Sequence, residues 1–204
     1  QTPAAGLAFN GQTTITVTAT DASGNTATCN VTVTITDDTN PGAIKTIRSQ
    51  FNYDFKANSQ DGKSGISAVA VSPVDTNRIY VATADGTLFY STNRGTDWQK
   101  SNGFTGPVPQ AFNGAVLYPS SINKNIVYFA GSGYSNAPVY RSTDGGTSFS
   151  SISSGMPSTA VFQLSAISDE SLIIAATEAG PYAYIPSQNK WFSLIGTGTP
   201  IQAY

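Results

Sequence analysis

Histidine is absent from the 204-residue chain, which removes Ser/His/Asp and Cys/His catalysis and the usual zinc ligand sets in one step. Cysteine occurs once, at Cys29. Charged residues make up 11% of the chain, against roughly 25% in an ordinary globular protein. Ten basic and twelve acidic side chains leave a net charge of −2, with no basic cluster. Nucleic acid and an anionic membrane surface are therefore excluded as partners. No apolar run approaches the ~18 residues that a spanning helix needs. The start at Gln1 shows neither an initiator methionine nor a charged leader with an apolar core, so the sequence reads either as a chain whose leader has been removed or as an excerpt of something longer, the expected reading.

Threonine, serine and asparagine supply the polarity instead. With β-branched residues and glycine, they compose an extracellular all-β protein. Its organising stretch is Tyr140-Arg141-Ser142-Thr143-Asp144-Gly145-Gly146-Thr147-Ser148-Phe149, echoed by Tyr90-Ser91-Thr92-Asn93-Arg94-Gly95-Thr96-Asp97-Trp98. Each reads as a strand end, a polar turn and a return strand opened by an aromatic. Gly95 and Gly146 supply positive φ, Asn93 and Asp144 accept local backbone N–H groups, and Ser91 and Ser142 add a second local bond. Trp98 and Phe149 turn inward to bury a large apolar face. The two copies lie about 50 residues apart, a period of propeller blades.

Registration of the copies predicts four strands per unit and blades at residues 66–100, 111–150 and 161–195. In the third unit the polar turn has decayed to Ser187-Gln188-Asn189-Lys190-Trp191. Residues 161–177, taken alone, also fit an amphipathic helix; alignment with the other copies predicts two strands. Near-continuous apolar segments such as Ile126-Val127-Tyr128-Phe129-Ala130 fit a sheet packed on both faces. A propeller needs about four to eight blades, so residues 66–204 are expected to form part of a ring that the remainder of the same chain closes.

The repeated turn resembles the Asp-box of the bacterial-neuraminidase-repeat type, found in sialidases, sortilin-type receptors and xyloglucan-hydrolysing propellers. The copy at Ser142–Phe149 fits throughout. The copy at Ser91–Trp98 departs from it, with Asn93 for Asp and Asp97 for Ser/Thr. The resemblance implies that Ser91, Asn93, Gly95, Trp98, Ser142, Asp144, Gly146 and Phe149 are structural, placed away from the ligand face.

Residues 10–36 alternate with strand period around the turn Asp21–Asn25, as the last hairpin of a small β-sandwich. Ala19-Thr20-Asp21-Ala22-Ser23-Gly24-Asn25-Thr26-Ala27-Thr28-Cys29 resembles the closing segment of the HYR module, an immunoglobulin-like extracellular domain. The resemblance implies a disulfide from Cys29 to a partner upstream of Gln1; the other reading is a buried free thiol acting as a small hydrophobe. The expected domains are 1–38 (end of the sandwich), 39–65 (linker and lead-in strand) and 66–204. Ile44, Ile47, Phe51, Tyr53 and Phe55 would form that lead-in strand. Asp37 and Asp38 offer oxygen to calcium, but with Asn40 they fall short of the roughly six to eight ligands required, so a solvated linker and no cofactor are expected.

HYR modules joined to Asp-box propellers resemble surface and secreted proteins of Bacteroidota exported by type IX secretion. On that basis the expected function is non-enzymatic: an extracellular or cell-surface adhesion and ligand-binding module, with glycans or another surface protein as partners. The alternative is a glycoside hydrolase whose catalytic residues lie outside this sequence. The xyloglucanase kind needs two carboxylates about 5 to 9.5 Å apart; the sialidase kind instead shows an arginine cluster and a Tyr/Glu pair. No catalytic or metal-binding residue is assigned. Loop aromatics Phe104, Tyr118 and Tyr134 are able to stack on sugars, or to serve as propeller core.

Overall fold

The computed structural model describes residues 11–35, 53–102, 105–110 and 113–196, and the chain divides into units at 1–50 and 51–204. In the first unit, β1 (Gly11–Thr20) and β2 (Thr26–Ile35) form an antiparallel ladder running without a break from Gly11 opposite Ile35 to Thr20 opposite Thr26. Asp21 closes the turn, its carboxylate accepting the backbone N–H groups of Ser23 and Asn25 at 2.9 and 2.8 Å. Gly24 takes the φ of 85° that the turn requires.

The second unit is three four-stranded antiparallel sheets, each a meander. They are β3 (Ile66–Val71), β4 (Ile79–Thr83), β5 (Leu88–Ser91) and β6 (Gln99–Lys100); then β7 (Val116–Pro119), β8 (Val127–Ala130), β9 (Val139–Ser142) and β10 (Ser150–Ser151); then β11 (Val161–Ala166), β12 (Ile173–Thr177), β13 (Gly180–Ile185) and β14 (Lys190–Ser193). The all-β class and its three four-stranded blades are as expected. Residues 161–177 are two strands, not a helix: β11 pairs with β12, and β12 has a ladder partner on both sides, in β11 and β13.

Why the second strand of each blade is apolar throughout is visible in the packing. Val127 and Phe129 of β8 face the first blade, joining Tyr80, Ala82, Leu88 and Tyr90 with Leu117 and Phe149 beside them. Tyr128 and Ala130 point the opposite way, into a cluster with Val139, Ile152, Met156, Ile173, Tyr184 and Trp191. A strand buried on both faces has no place for the polar half of an alternating pattern. Each fully buried Tyr, Phe or Val in these seams contributes about 1.5–3 kcal/mol.

First strands pack against one another in the order β3, β7, β11, so they line the inner edge of the array. β3 and β11 both carry a bulge near their starts, at Ile66/Ala68 and Val161/Gln163. A bulge turns a side chain out of the ladder. Ser67 uses this to accept the backbone N–H of Ala115 at 2.9 Å, tying the first blade to the second.

Of the expected lead-in strand, Ile44, Ile47 and Phe51 lie outside the described residues, and at Tyr53 and Phe55 there is no strand. A helical turn, α1 (Phe55–Asn58), takes its place, capped by the Asp54 carboxylate on the Ala57 N–H at 2.9 Å. Alternating aromatics suggested a strand, but Tyr53 and Phe55 flank a helix cap and both rings land on Phe89 and Trp98. The segment 53–64 is thus attached to the first blade and is not linker.

Candidate functional site

Successive hairpins in a meander turn at alternate ends. The first and third turns of each blade lie on one rim of the array; the second turn and the crossover to the next blade lie on the other.

The repeated polar turns are third turns, and the two hydrogen-bond networks are near copies with the donor and acceptor roles exchanged. At the second blade, Ser142 Oγ donates to Asp144 Oδ1 at 2.8 Å and accepts the Gly146 N–H at 2.9 Å. The Asp144 carboxylate accepts from Ser148 N at 2.9 Å and Ser148 Oγ at 2.6 Å. At the first blade, Ser91 Oγ donates to Asn93 Oδ1 at 2.9 Å and accepts the Gly95 N–H at 2.8 Å. Asn93 Oδ1 accepts the Asp97 N–H at 2.9 Å, while its amide donates to Asp97 Oδ2 at 2.7 Å. The two departures from the repeat pattern therefore compensate each other. Partial burial works to raise the Asp144 carboxyl, and bonds from Ser148 and Ser142 outweigh it, holding it below the ordinary carboxylate value.

These hairpins also join blades. Ser101 Oγ donates to the Gly146 carbonyl, Asn102 N to the Thr147 carbonyl at 2.9 Å, and Arg78 Nη1 to the Gly145 carbonyl at 3.4 Å. A Cβ on Gly146, where φ is 99°, would press on the Tyr80 ring at 3.0 Å. Close approach to the neighbour, as well as positive φ, demands glycine here.

The third blade replaces its hairpin with a short 3-10 turn, Pro186–Gln188, and Asn189 in the left-handed region. Trp191 takes over the joining role, donating from Nε1 to the Ile152 carbonyl at 2.6 Å. A second clamp comes from Glu170, which is 6% exposed and lies at a φ of 53°. Its carboxylate accepts from Ser120 Oγ at 2.6 Å, Ser121 N at 2.6 Å and Ser121 Oγ at 3.0 Å, across the seam between the second and third blades. Sequence reading passed over Glu170 as a turn residue. No local signal marks it, because every partner is about 50 residues away in the chain.

The opposite rim is built from backbone. Val108, Ser132 and Ala160 are bridged in sequence across two seams. Ser132 N donates to the Val108 carbonyl at 2.8 Å, Gly133 N to the Thr159 carbonyl at 2.9 Å, and Asn136 Nδ2 to the Gly106 carbonyl at 3.3 Å. This holds the loop 131–138 at three points while leaving the Tyr134 ring 61% exposed. Tyr118 belongs to the other rim, its hydroxyl 3.5 Å from Glu170. Of the three loop aromatics, then, Tyr134 alone is placed on the loop-built rim; Tyr118 is not with it, and Phe104 lies outside the described residues.

Carboxylates divide in the same way. Asp75, Asp97, Asp144, Asp169 and Glu170 occupy the hairpin rim and are engaged there. On the loop rim, among the described residues, stand Asp61, Asp85 and Glu178. Asp61 accepts from Lys63 N, Ser64 N and Ser64 Oγ, bonds that hold it well below the usual carboxylate range. Asp85 accepts from Thr83, Thr87 and the Asp61 N–H; burial would raise it, and these bonds lower it further than that. Both are consumed by structure. Asp37 and Asp38, the expected calcium oxygens, lie outside the described residues, as does the side chain of Cys29.

Comparison with known proteins bears on what this rim is for. Residues 1–35 match the HYR domain. A xyloglucanase of Hypocrea jecorina (strain QM6a) is 33% identical over 102 residues, 44% of this chain and 12% of that enzyme. The crystal structure of the Niastella koreensis GH74 enzyme superposes with a TM-score of 0.51 at 22% identity, over 84% of this chain and 25% of its own. An ancestral GH74 enzyme superposes at 0.53 and 18% identity, covering 70% of this chain and 21% of its own. The fold is that of the blades in these propellers, and the chain spans about an eighth to a quarter of the lengths of these relatives.

These findings overturn the expectation of a non-enzymatic adhesion module. The sequence relative is a xyloglucanase and the structural neighbours are GH74 enzymes, which favours the hydrolase alternative. The adhesion reading rested on the pairing of a HYR end with Asp-box blades. The hydrolase alternative already placed its catalytic residues outside these residues, and the chain spans only a small share of such an enzyme.

Proposed function

We propose that the chain is the end of a HYR module followed by three blades, the first two with Asp-box turns, of a secreted glycoside hydrolase acting on xyloglucan-like β-glucans. The observation that carries this reading is the 33% identity to a xyloglucanase over 102 residues of the blade-rich chain. The split between rims supports it, since one rim is saturated with structural hydrogen bonds and the other is fastened through backbone and presents an aromatic ring. Glycans are the partners in this reading, and the rest of the chain completes the ring and supplies the catalytic carboxylate pair. The combination of modules suits an extracellular enzyme of the Bacteroidota kind exported by type IX secretion. Among the described residues no helix is long and apolar enough to cross a membrane.

Tyr134 is the sugar-stacking residue of this rim. Titration calorimetry of the chain with xyloglucan oligosaccharides, and reducing-end release by the full-length protein, test the proposal. Tyr134→Ala should weaken binding about tenfold, the equivalent of ~1.4 kcal/mol for a lost aromatic platform. Absence of both binding and release on xyloglucan refutes the function; binding that Tyr134→Ala leaves unchanged refutes the residue.

A further inference from the structure

Tyr134 has a charged companion on the loop rim. Of the carboxylates there, Asp61 and Asp85 are held by their own turns, whereas Glu178 is exposed. Among the described residues the Glu178 carboxylate takes part in no hydrogen bond or ion pair. Comparison of the first and third blades shows why. Ala84 and Glu178 hold the same place, each just after the threonine that ends the second strand. Each also donates its N–H to the residue before the first strand, to the Gly65 carbonyl at 2.9 Å and the Ala160 carbonyl at 3.0 Å. In the first blade the turn that follows is tied by the Asp85 carboxylate, which accepts from Thr83 Oγ1 and from Thr87. In the third it closes without a carboxylate, Thr177 Oγ1 donating to the Gly180 carbonyl at 2.6 Å and Ala179 N to Thr159 Oγ1 at 3.1 Å. The turn has no use for Glu178. The place itself faces outward, since Ala84 is exposed even though the crossover to the second blade runs past that turn, Gly106 N donating to the Gly86 carbonyl at 3.2 Å.

Backbone fixes where Glu178 stands relative to Tyr134. Thr159 and Ala160 run between the two loops. From the second blade, Ser132 bridges to Ala160 and Gly133 N donates to the Thr159 carbonyl at 2.9 Å. From the third, Glu178 N and Ala179 N bond to the same two residues. Two strand spacings, about 10 Å, therefore separate the backbones that carry the ring and the carboxylate. Neighbouring rings of one glycan chain cover such a span.

We propose that Glu178 is a second glycan contact of this rim: its two oxygens accept neighbouring hydroxyls of a sugar ring close to the one stacked on Tyr134, and it selects neutral β-glucan over chains that carry uronic acids. The inference rests on the hydrolase reading in taking a glycan as the occupant. An ionised carboxylate only accepts, so it suits a pair of hydroxyls and rejects another carboxylate. Hydrogen bonds to an ionised acceptor are the stronger kind. Asp61 and Asp85, on the same rim, add to the repulsion of a uronate. One aromatic surface with a few placed polar groups is also how ligand sites fix orientation.

Titration calorimetry of the full-length protein tests it, with xyloglucan oligosaccharides before and after oxidation of their primary hydroxyls to carboxylates. The parent should prefer the neutral form. Glu178→Ala should bind that form about tenfold more weakly, having lost its charge-assisted bonds. Glu178→Gln keeps one acceptor oxygen and should lose only about threefold. Both variants should narrow the preference for neutral over oxidised sugar to the same extent, because both remove the charge. Their Tm should match the parent's, since the turn does not use the carboxylate. If the parent binds and Tyr134→Ala weakens it but Glu178→Ala does not, the Glu178 contact is overturned and the hydrolase reading stands. Weaker binding that leaves the parent's preference intact also overturns it, because a carboxylate at the contact has to discriminate. A parent that binds neither form overturns both readings together.

Discussion

Exchanging Asp144 and Ser148 for the residues that stand at the equivalent places in the first blade puts a number on the polar hairpin. Asp144→Ala removes an acceptor of three hydrogen bonds, from Ser142 Oγ at 2.8 Å, Ser148 N at 2.9 Å and Ser148 Oγ at 2.6 Å. Bonds to an ionised group are worth up to about 3 kcal/mol each when buried, but Asp144 is exposed and water replaces much of what is lost, so a net cost of about 2 kcal/mol is expected. For a chain of this size that lowers Tm by roughly 4–8 °C. Asp144→Asn keeps Oδ1 for Ser142 and the Ser148 N–H, and the Ser148 hydroxyl need only rotate to accept from the new amide. Its cost should stay under ~1 kcal/mol. Asp144→Asn with Ser148→Asp rebuilds the Asn93–Asp97 arrangement, with the amide donating to a carboxylate, and should match the parent within ~0.5 kcal/mol. Scanning calorimetry of the parent, the two single variants and the double variant reads the series directly. A double variant as unstable as Asp144→Ala would show that the two hairpins are not interchangeable networks, and the account of the first blade's departures would fall.

Acid should destabilise the protein while the neutral range stays flat. Bonds from Asn25, Lys63 and Ser171 hold Asp21, Asp61 and Asp169 below their ordinary values, and Asp85 and Asp144 are held down against partial burial. Stability from depressed carboxyls is present above the unfolded value near ~3.9 and is lost as pH falls through the folded values, so urea midpoints should drop below about pH 4. With no histidine, midpoints between about pH 5 and 8 should coincide; a step there contradicts the assignment. In alkali, burial pushes the Tyr128 hydroxyl up to about 12, so its neutral form supports the fold below the unfolded value near ~10 and that support is lost as pH climbs through the range above it. Glu170→Ala leaves the buried Ser120 hydroxyl and the Ser121 N–H without their acceptor and should cost about 2–4 kcal/mol by urea unfolding, against under ~1 kcal/mol for Glu178→Ala on the exposed rim. Equal effects would remove the clamp between the second and third blades.

Blades were legible because two kinds of local information coincide in them. Ser91–Trp98 and Ser142–Phe149 recur with the same turn chemistry, and apolar runs such as Val127–Ala130 recur at the same offset before them. Both signals lie within one hairpin, so they survive in a linear reading. Tyr53 and Phe55 show the converse. Their alternation fits a strand, but the Asp54 cap and the waiting Phe89 and Trp98 rings decide for a helical turn, and those rings are far along the chain.

The candidate site was less legible than the fold. Tyr118 and Tyr134 look alike as loop aromatics until the alternation of turns sends them to opposite rims. Glu170 looks like any turn carboxylate until the third blade meets the second. Composition, turn chemistry and strand period are properties of neighbouring residues, and by themselves they determined the all-β class, the blade repeat and the absence of histidine chemistry. Which side chains share a rim, which carboxylates are already engaged and what covers the first blade depend on contacts between residues some 30 to 50 positions apart. Those contacts exist only once the seams are packed, so only the tertiary structure decided them.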